Sequence, residues 1–188
     1  MNKIALFAAA AVTAVALGST AAQAQNVTGT IDLTGSVSAK CVVDPGNGST
    51  FGDTVNFGEL AQANGTLRSG LVSDFGTRSF TVKCNGTNPQ ISVDADPLAT
   101  AASPDTGYDN SIDYTASVAV VAVGTNNGPF INASSAAPSA LAAVGSRLAN
   151  SASNVNITTS GYHTNALTDL LVASPTYTGK ITVVIAPN

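Results

Sequence analysis

Val27-Thr-Gly-Thr-Ile-Asp-Leu-Thr-Gly-Ser-Val37 alternates without a break. Its odd positions are apolar or Gly (Val27, Gly29, Ile31, Leu33, Gly35, Val37), and its even positions are polar (Thr28, Thr30, Asp32, Thr34, Ser36). Successive side chains of a β-strand point to opposite faces, so this period of two predicts a strand with one face meant for a core. Near the start of a chain, such a strand has two destinations: its own sheet, or the sheet of a neighbour.

Upstream of it, residues 1–24 read as a secretory signal that is removed. Lys3 supplies the positive start, Ile4 to Leu17 an Ala/Val/Leu-rich run, and Ala22-Gln-Ala24 a small-x-small cleavage site. The run is about 14 residues where a bilayer span takes roughly 20, so a membrane anchor is the weaker alternative. The expected product begins at Gln25, is exported and is not membrane-embedded. Residues 25–37 form an N-terminal arm and 38–188 a single domain.

Removing Lys3 moves the formal net charge from −4 to −5. The remaining cations, Lys40, Arg68, Arg78, Lys83, Arg147 and Lys180, are scattered singly, which argues against nucleic-acid and anionic-membrane partners. Charged residues are few and Thr, Ser, Asn, Gly, Ala and Val are abundant, a mix that suits β-strands joined by polar turns. Cys41 and Cys84 are the only cysteines. In an exported chain such a pair reads first as a disulfide. Two free thiols or half of a metal site is the alternative, and it lacks a C-x-x-C pair or a nearby histidine.

Outward from the arm, Ser38 to Val43 continues toward a turn cluster at Asp44-Pro-Gly-Asn-Gly-Ser. Phe51 to Phe57 is expected as a short strand. Arg78 to Cys84 is the cleanest internal one, with Phe80, Val82 and Cys84 on one face. Ile91, Val93 and Ala95 point inward on the next. Ile112 to Val123 begins in alternation and ends in a continuous apolar run, which suits a strand covered on both faces or one that leaves an edge for another strand. Residues 124–153 read mostly as loop, with a helical turn or two from Ser139 to Leu148. Val155 and Ile157, Leu167 to Val172, and Lys180 to Ile185 suggest further strands, with Ile181, Val183 and Ile185 on one face of the last. Short strands separated by turn clusters predict an all-β, antiparallel sandwich of immunoglobulin-like kind.

Catalytic chemistry finds little to work with. His163, in Ser160-Gly-Tyr-His-Thr164, is the sole imidazole, and no Gly-x-Ser-x-Gly motif accompanies it. A hydrolase centred on His163 is therefore the remote reading. Asp94-Ala-Asp96-Pro97 puts two carboxylates on one strand face, where they could converge on a cation, but no calcium-loop pattern follows and solvated turn-formers are the simpler account. No enzyme activity, catalytic residue, cofactor or metal site is expected.

The order of features resembles pilin subunits of bacterial chaperone–usher pili, most closely the archaic branch with spore-coat-protein-U-like domains. The signal is followed by the arm, by Ser38-Ala-Lys-Cys41, by Val55-Asn-Phe-Gly58-Glu-Leu60, by Phe80-Thr-Val-Lys-Cys84-Asn-Gly86, and by Tyr177-Thr-Gly-Lys-Ile-Thr-Val-Val-Ile185. Residues 124–153 match no motif of that family. The resemblance implies an incomplete immunoglobulin-like sandwich that lacks its last strand and so carries a groove. A periplasmic chaperone fills the groove in transit. At the outer-membrane usher, the arm of the next subunit replaces it by donor-strand exchange, building a surface pilus for adhesion or biofilm. By that likeness Val27, Gly29, Ile31, Leu33, Gly35 and Val37 form the inward face of the donor strand, and Gly29 and Gly35 permit close approach to the partner backbone. Cys41 and Cys84 form the stapling disulfide, Ile181, Val183 and Ile185 border the groove, and the partners are copies of this chain or related pilins. The competing reading is a secreted, monomeric β-sandwich that binds carbohydrate or another surface ligand, with the arm as an ordinary edge strand. With no Trp and few Tyr, it has little for stacking sugars.

Overall fold

The computed structural model describes residues 28–46, 48 and 50–188. The expected signal, residues 1–24, and Val27 lie outside them. Among the described residues no helix is long and apolar enough to cross a membrane.

Cys41–Asp44 (β1) pairs antiparallel with Arg78–Cys84 (β2), Cys41 directly opposite Cys84. The two sulfurs are bonded, with the Cα atoms 4.1 Å apart. Between these strands lies one short helix, Leu71–Phe75 (α1), which buries Leu71 and Phe75. Gln90–Ala99 (β3) follows, and its alternation is obeyed: Ile91 and Val93 are fully buried and Ala95 nearly so.

After Tyr108–Asp109 (β4), Ser111–Val121 (β5) is the longest strand and the hub of the sheet. Its first two residues pair with the end of β3. The rest runs between Asn126–Ala133 (β6) on one side and Val155–His163 (β8) on the other. Ala142–Ala143 (β7) adds to β3, and Leu170–Leu171 (β9) makes a small parallel pair with β4. Thr178–Ala186 (β10) lies antiparallel along nearly all of β3. The path is β1-β2-β8-β5-β3-β10, with β6 beside β5. The protein is all-β, and apart from the β4–β9 pair its ladders are antiparallel, a sandwich that approaches a barrel. The core lies between its faces: Val82 from β2, Val93 from β3, Tyr114, Ala116 and Val118 from β5, and Val155 from β8.

Four expectations need refining or correcting. Residues 124–153 are mostly loop, as expected, but β6 occupies 126–133 within them. Its sparse apolar content hid it: Asn132 is buried, its Oδ1 accepting the Ala95 amide at 2.9 Å and its Nδ2 donating to the Ala137 carbonyl at 2.7 Å. An amide that reaches across to a neighbouring strand in this way satisfies main-chain groups that a ladder would otherwise serve. The β5–β6 register shifts between Val118 and Val120, opposite Gly128. A Cβ at Gly128 would stand 2.8 Å from the Val118 carbonyl oxygen, so only glycine fits this bulge. Second, no helical turn forms over 139–148, where β7 docks on β3 instead. Third, the apolar end of β5 keeps its alternation, with Val118 and Val120 buried and Ala119 exposed, and both its edges are used. Fourth, Phe51 to Phe57 is not a strand.

The arm, described from Thr28, is in no strand through Lys40. Ile31 is 89% exposed, Leu33 91% and Val37 84%. Val37–Asn188 forms one compact unit. At its start the side chain of Asn85 clamps the chain: Nδ2 donates to the Ser38 carbonyl at 2.9 Å, and Oδ1 accepts the Lys40 amide at 2.7 Å.

Candidate functional site: an apolar groove beside the last strand

β10 ends the sheet path, so its second edge pairs with no strand among the described residues. Ile181, Val183 and Ile185 are half-buried against the core, and Ile181 and Val183 form one wall of a groove of about 460 Å³. The opposite wall is built from Phe51, Val55 and Phe57, each half-buried and alternating with exposed neighbours. This segment has the periodicity of a strand without a ladder. Its main-chain groups turn to side chains instead: the Thr54 amide to Asp53 Oδ1 at 2.8 Å, the Gly58 amide to Asn56 Oδ1 at 2.9 Å, and the Phe57 carbonyl to Arg68 Nη2 at 2.7 Å. A strand needs a neighbour at roughly 4.8 Å to exchange hydrogen bonds with, and the groove is lined by residues of both this segment and β10.

The floor is aromatic. Tyr114 and Tyr162 stack with ring centroids 5.2 Å apart, and Phe57 meets Tyr162 edge-on at 5.8 Å. Phe51 and Phe80 pack at 4.6 Å farther along. Burial raises the Tyr114 phenol well above its ordinary range, with Tyr162, Asp96 and Asp94 adding to the effect. Burial also raises Tyr162, against its bond to Thr159. Both phenols are therefore neutral donors. The Tyr114 hydroxyl donates to the Asp96 carbonyl at 2.8 Å and lies 3.3 Å from that of Lys180. These carbonyls flank an irregularity where Thr178 faces Ala99 but Lys180 faces Asp96, so β3 carries an extra residue there. Gly179 fills the tight side: a Cβ on it would lie 2.9 Å from the Pro97 carbonyl oxygen.

The charged residues that line the groove are Asp53, Arg78 and Lys180. Arg78 Nη1 meets Asp53 Oδ2 at 3.2 Å, with its guanidinium 5.7 Å from the Phe75 ring centroid, and its Nε is buried without a partner. Lys180 Nζ is 3.7 Å from Asp96 Oδ2, the longest of four ion pairs among the described residues, and its side chain is mostly exposed.

The other sequence candidates do not gather at the groove. Asp94 and Asp96 stand on β3, and no cluster of three metal-ligating side chains occurs among the described residues. His163 is exposed at the end of β8, where its Nδ1 donates to the Gly161 carbonyl at 2.7 Å. Asp113, its cross-strand neighbour, accepts a bond from Ser134 Oγ at 2.8 Å, so the serine addresses the carboxylate and not the imidazole. Cys41 and Cys84 are joined, as the sequence leads one to expect, at the opposite end of the sheet path from β10. Sequence reasoning missed Tyr162, hidden in a polar Gly/Thr stretch, and the pairing of 51–57 with β10 as facing walls. The alternation of Phe51, Val55 and Phe57 was the available signal. Comparison with protein-family models, with curated proteins and with solved structures returns no match to this chain.

Proposed function

We propose that this chain is a structural subunit of a surface pilus of the chaperone–usher kind, with a spore-coat-protein-U-like domain, that polymerises by donor-strand exchange. The observation that carries the reading is the coexistence of two complementary unfinished parts. One is a groove flanked by a free sheet edge at β10 and by an alternating segment at 51–57 that lacks a ladder. The other is an alternating arm whose apolar side chains Ile31 and Leu33 are almost wholly exposed.

On this reading the domain is an immunoglobulin-like sandwich lacking its last strand, and the arm of the next copy supplies it. Strand addition gives main-chain hydrogen bonds along the edge and pockets for alternate side chains. Burying Ile31 and Leu33 contributes about 1.5–3 kcal/mol each before the cost of ordering the arm. An exposed apolar edge also invites aggregation, which fits a periplasmic chaperone occupying the groove until the outer-membrane usher exchanges it for the arm. The Cys41–Cys84 disulfide suits passage through an oxidising compartment. The finished site is the cell surface, in adhesion or biofilm, and the role requires neither cofactor nor turnover.

The test is deletion of Gln25 to Val37 behind an intact signal. The truncated subunit is expected to accumulate bound to chaperone and to add to no growing fibre through its own arm. Normal fibres built from the truncated chain alone would refute the proposal.

A further inference from the structure

We infer that an ion pair between Asp32 of one copy and Lys180 of the next fixes the register and direction in which the arm enters the groove; this rests on the strand-addition reading above. Asp32 is the only charged residue between Gln25 and Ala39. With Ile31 and Leu33 turned into the groove, period two puts Asp32 on the outward face. On β10 the inward residues are Ile181, Val183 and Ile185, and the outward ones include Lys180 and Val184. Lys180 lies at the groove rim with only its long contact to Asp96. The outward faces of arm and edge thus carry one anion and one loosely engaged cation.

Direction follows from where the arm is rooted. In an antiparallel alignment with Asp32 opposite Lys180, residues 26–34 cover Thr178 to Ala186. Gly35 to Val37 then remain as a spacer before Ser38, which Asn85 holds to its own domain. A parallel alignment with the same ion pair sets Val37 against Ile185. It leaves no spacer, and drives the Asn85-anchored root into the end of the neighbour's strand.

Packing selects the same register. In the antiparallel alignment Leu33 faces Gly179, Ile31 faces Ile181, and Gly29 faces Val183. Each glycine then meets a large side chain, which lets the inner layer interdigitate. A slip of two residues in one direction opposes Gly35 to Gly179 and leaves that layer without a side chain from either strand. A slip in the other moves Leu33 beyond the end of β10. Both slips separate Asp32 from Lys180.

Cysteine trapping in mixed assemblies of the full chain tests this. Two differently tagged chains are co-expressed, recovered as oligomers and mildly oxidised with the native disulfide intact. The pairs Asp32→Cys with Lys180→Cys and Thr28→Cys with Val184→Cys are expected to link between copies. Ser36→Cys with Val184→Cys, which reports the parallel direction, and Thr34→Cys with Lys180→Cys, which reports a slipped register, are expected to stay at background. Using the 28/184 pair as reporter, Asp32→Lys is expected to lower its yield roughly 2- to 5-fold, the scale of an exposed ion pair. Adding Lys180→Asp in the same chain is expected to restore it. Preferential linkage through 36/184 or 34/180, or an Asp32→Lys loss that Lys180→Asp does not repair, overturns the ion-pair register while leaving strand addition standing. Linkage through Thr30→Cys with Lys180→Cys, which reports the opposite slip, likewise overturns the register alone, and oligomers that link through none of these five pairs overturn both.

Discussion

Residues 29–33 and 91–95 carry the same message in sequence and meet opposite fates. Gly29, Ile31 and Leu33 alternate with polar neighbours as cleanly as Ile91, Val93 and Ala95 do. Yet Ile91 and Val93 have no exposed surface, while Ile31 and Leu33 keep about nine-tenths of theirs. β3 sits between β5 and β10, with β7 docked at its start, so its pattern is satisfied within the chain. The arm has the pattern and, among the described residues, no ladder. Period two therefore specifies that a face is to be buried, and topology specifies by whom.

The widest separation between the two regions should come from truncating matched residues. Ile91→Ala is expected to cost about 2–5 kcal/mol in the unfolding free energy of the isolated subunit, because it opens a cavity in the core. Ile31→Ala should leave that stability unchanged and lengthen or abolish assembly. Denaturant unfolding of monomer, set beside the kinetics of polymer formation, separates the two effects.

Removing the disulfide is the next largest break. It closes a separation of 43 residues, and its loss through paired Cys41→Ala and Cys84→Ala should cost up to about 4 kcal/mol on the loop-entropy model. Thermal melts should register this for the monomer. The effect is on the domain that holds the arm's root and not on the arm itself.

Asn154→Ala should be smaller, about 1–3 kcal/mol, the cost of leaving buried groups unpaired. This amide accepts from the Val82 amide at 2.8 Å and donates to the carbonyls of Val82 at 2.7 Å and Ala149 at 2.8 Å. No described residue of the arm has an equivalent role, so polar substitutions at Thr28 or Thr30 should leave monomer stability unmoved.

The smallest difference is in alkaline sensitivity. Burial raises the Tyr114 and Tyr162 phenols, so the folded domain holds these protons more tightly than the unfolded chain does. Their contribution is fully present below the unfolded value, near 10, and is lost as pH rises through the folded values. Monomer stability should fall more gently above pH ~10 in Tyr114→Phe than in the unaltered chain, at the expense of the bond to Asp96. Equilibrium unfolding across that range checks it. The arm contributes no tyrosine to this limb.

How far the sequence could be read depended on whether the burying partner was apolar. β2, the start of β3, the start of β5 and β10 were all legible from Val, Ile and Phe at alternate positions, and the cysteine pair from their number and the export signal. β6 was not, because Asn132 anchors it with hydrogen bonds where a pattern-reader looks for a branched aliphatic. Residues 51–57 misled in the opposite sense: Phe51, Val55 and Phe57 turn inward, but no neighbour among the described residues closes the ladder. The groove was half legible. Ile181, Val183 and Ile185 could be assigned to one face, whereas the aromatic floor of Tyr114 and Tyr162 depends on a contact between distant strands that no local pattern encodes. The arm's alternation was secure from the outset, and its exposure is what the fold adds.

The central claim is that the arm is a strand for another copy, and amide hydrogen exchange tests it most directly. Exchange at residues 28–34 is to be compared between isolated subunit and assembled polymer. The arm amides should exchange freely in the monomer and become strongly protected on assembly, together with those β10 amides that face the groove. Arm amides already protected in the isolated subunit, or still unprotected in the polymer, would contradict the account.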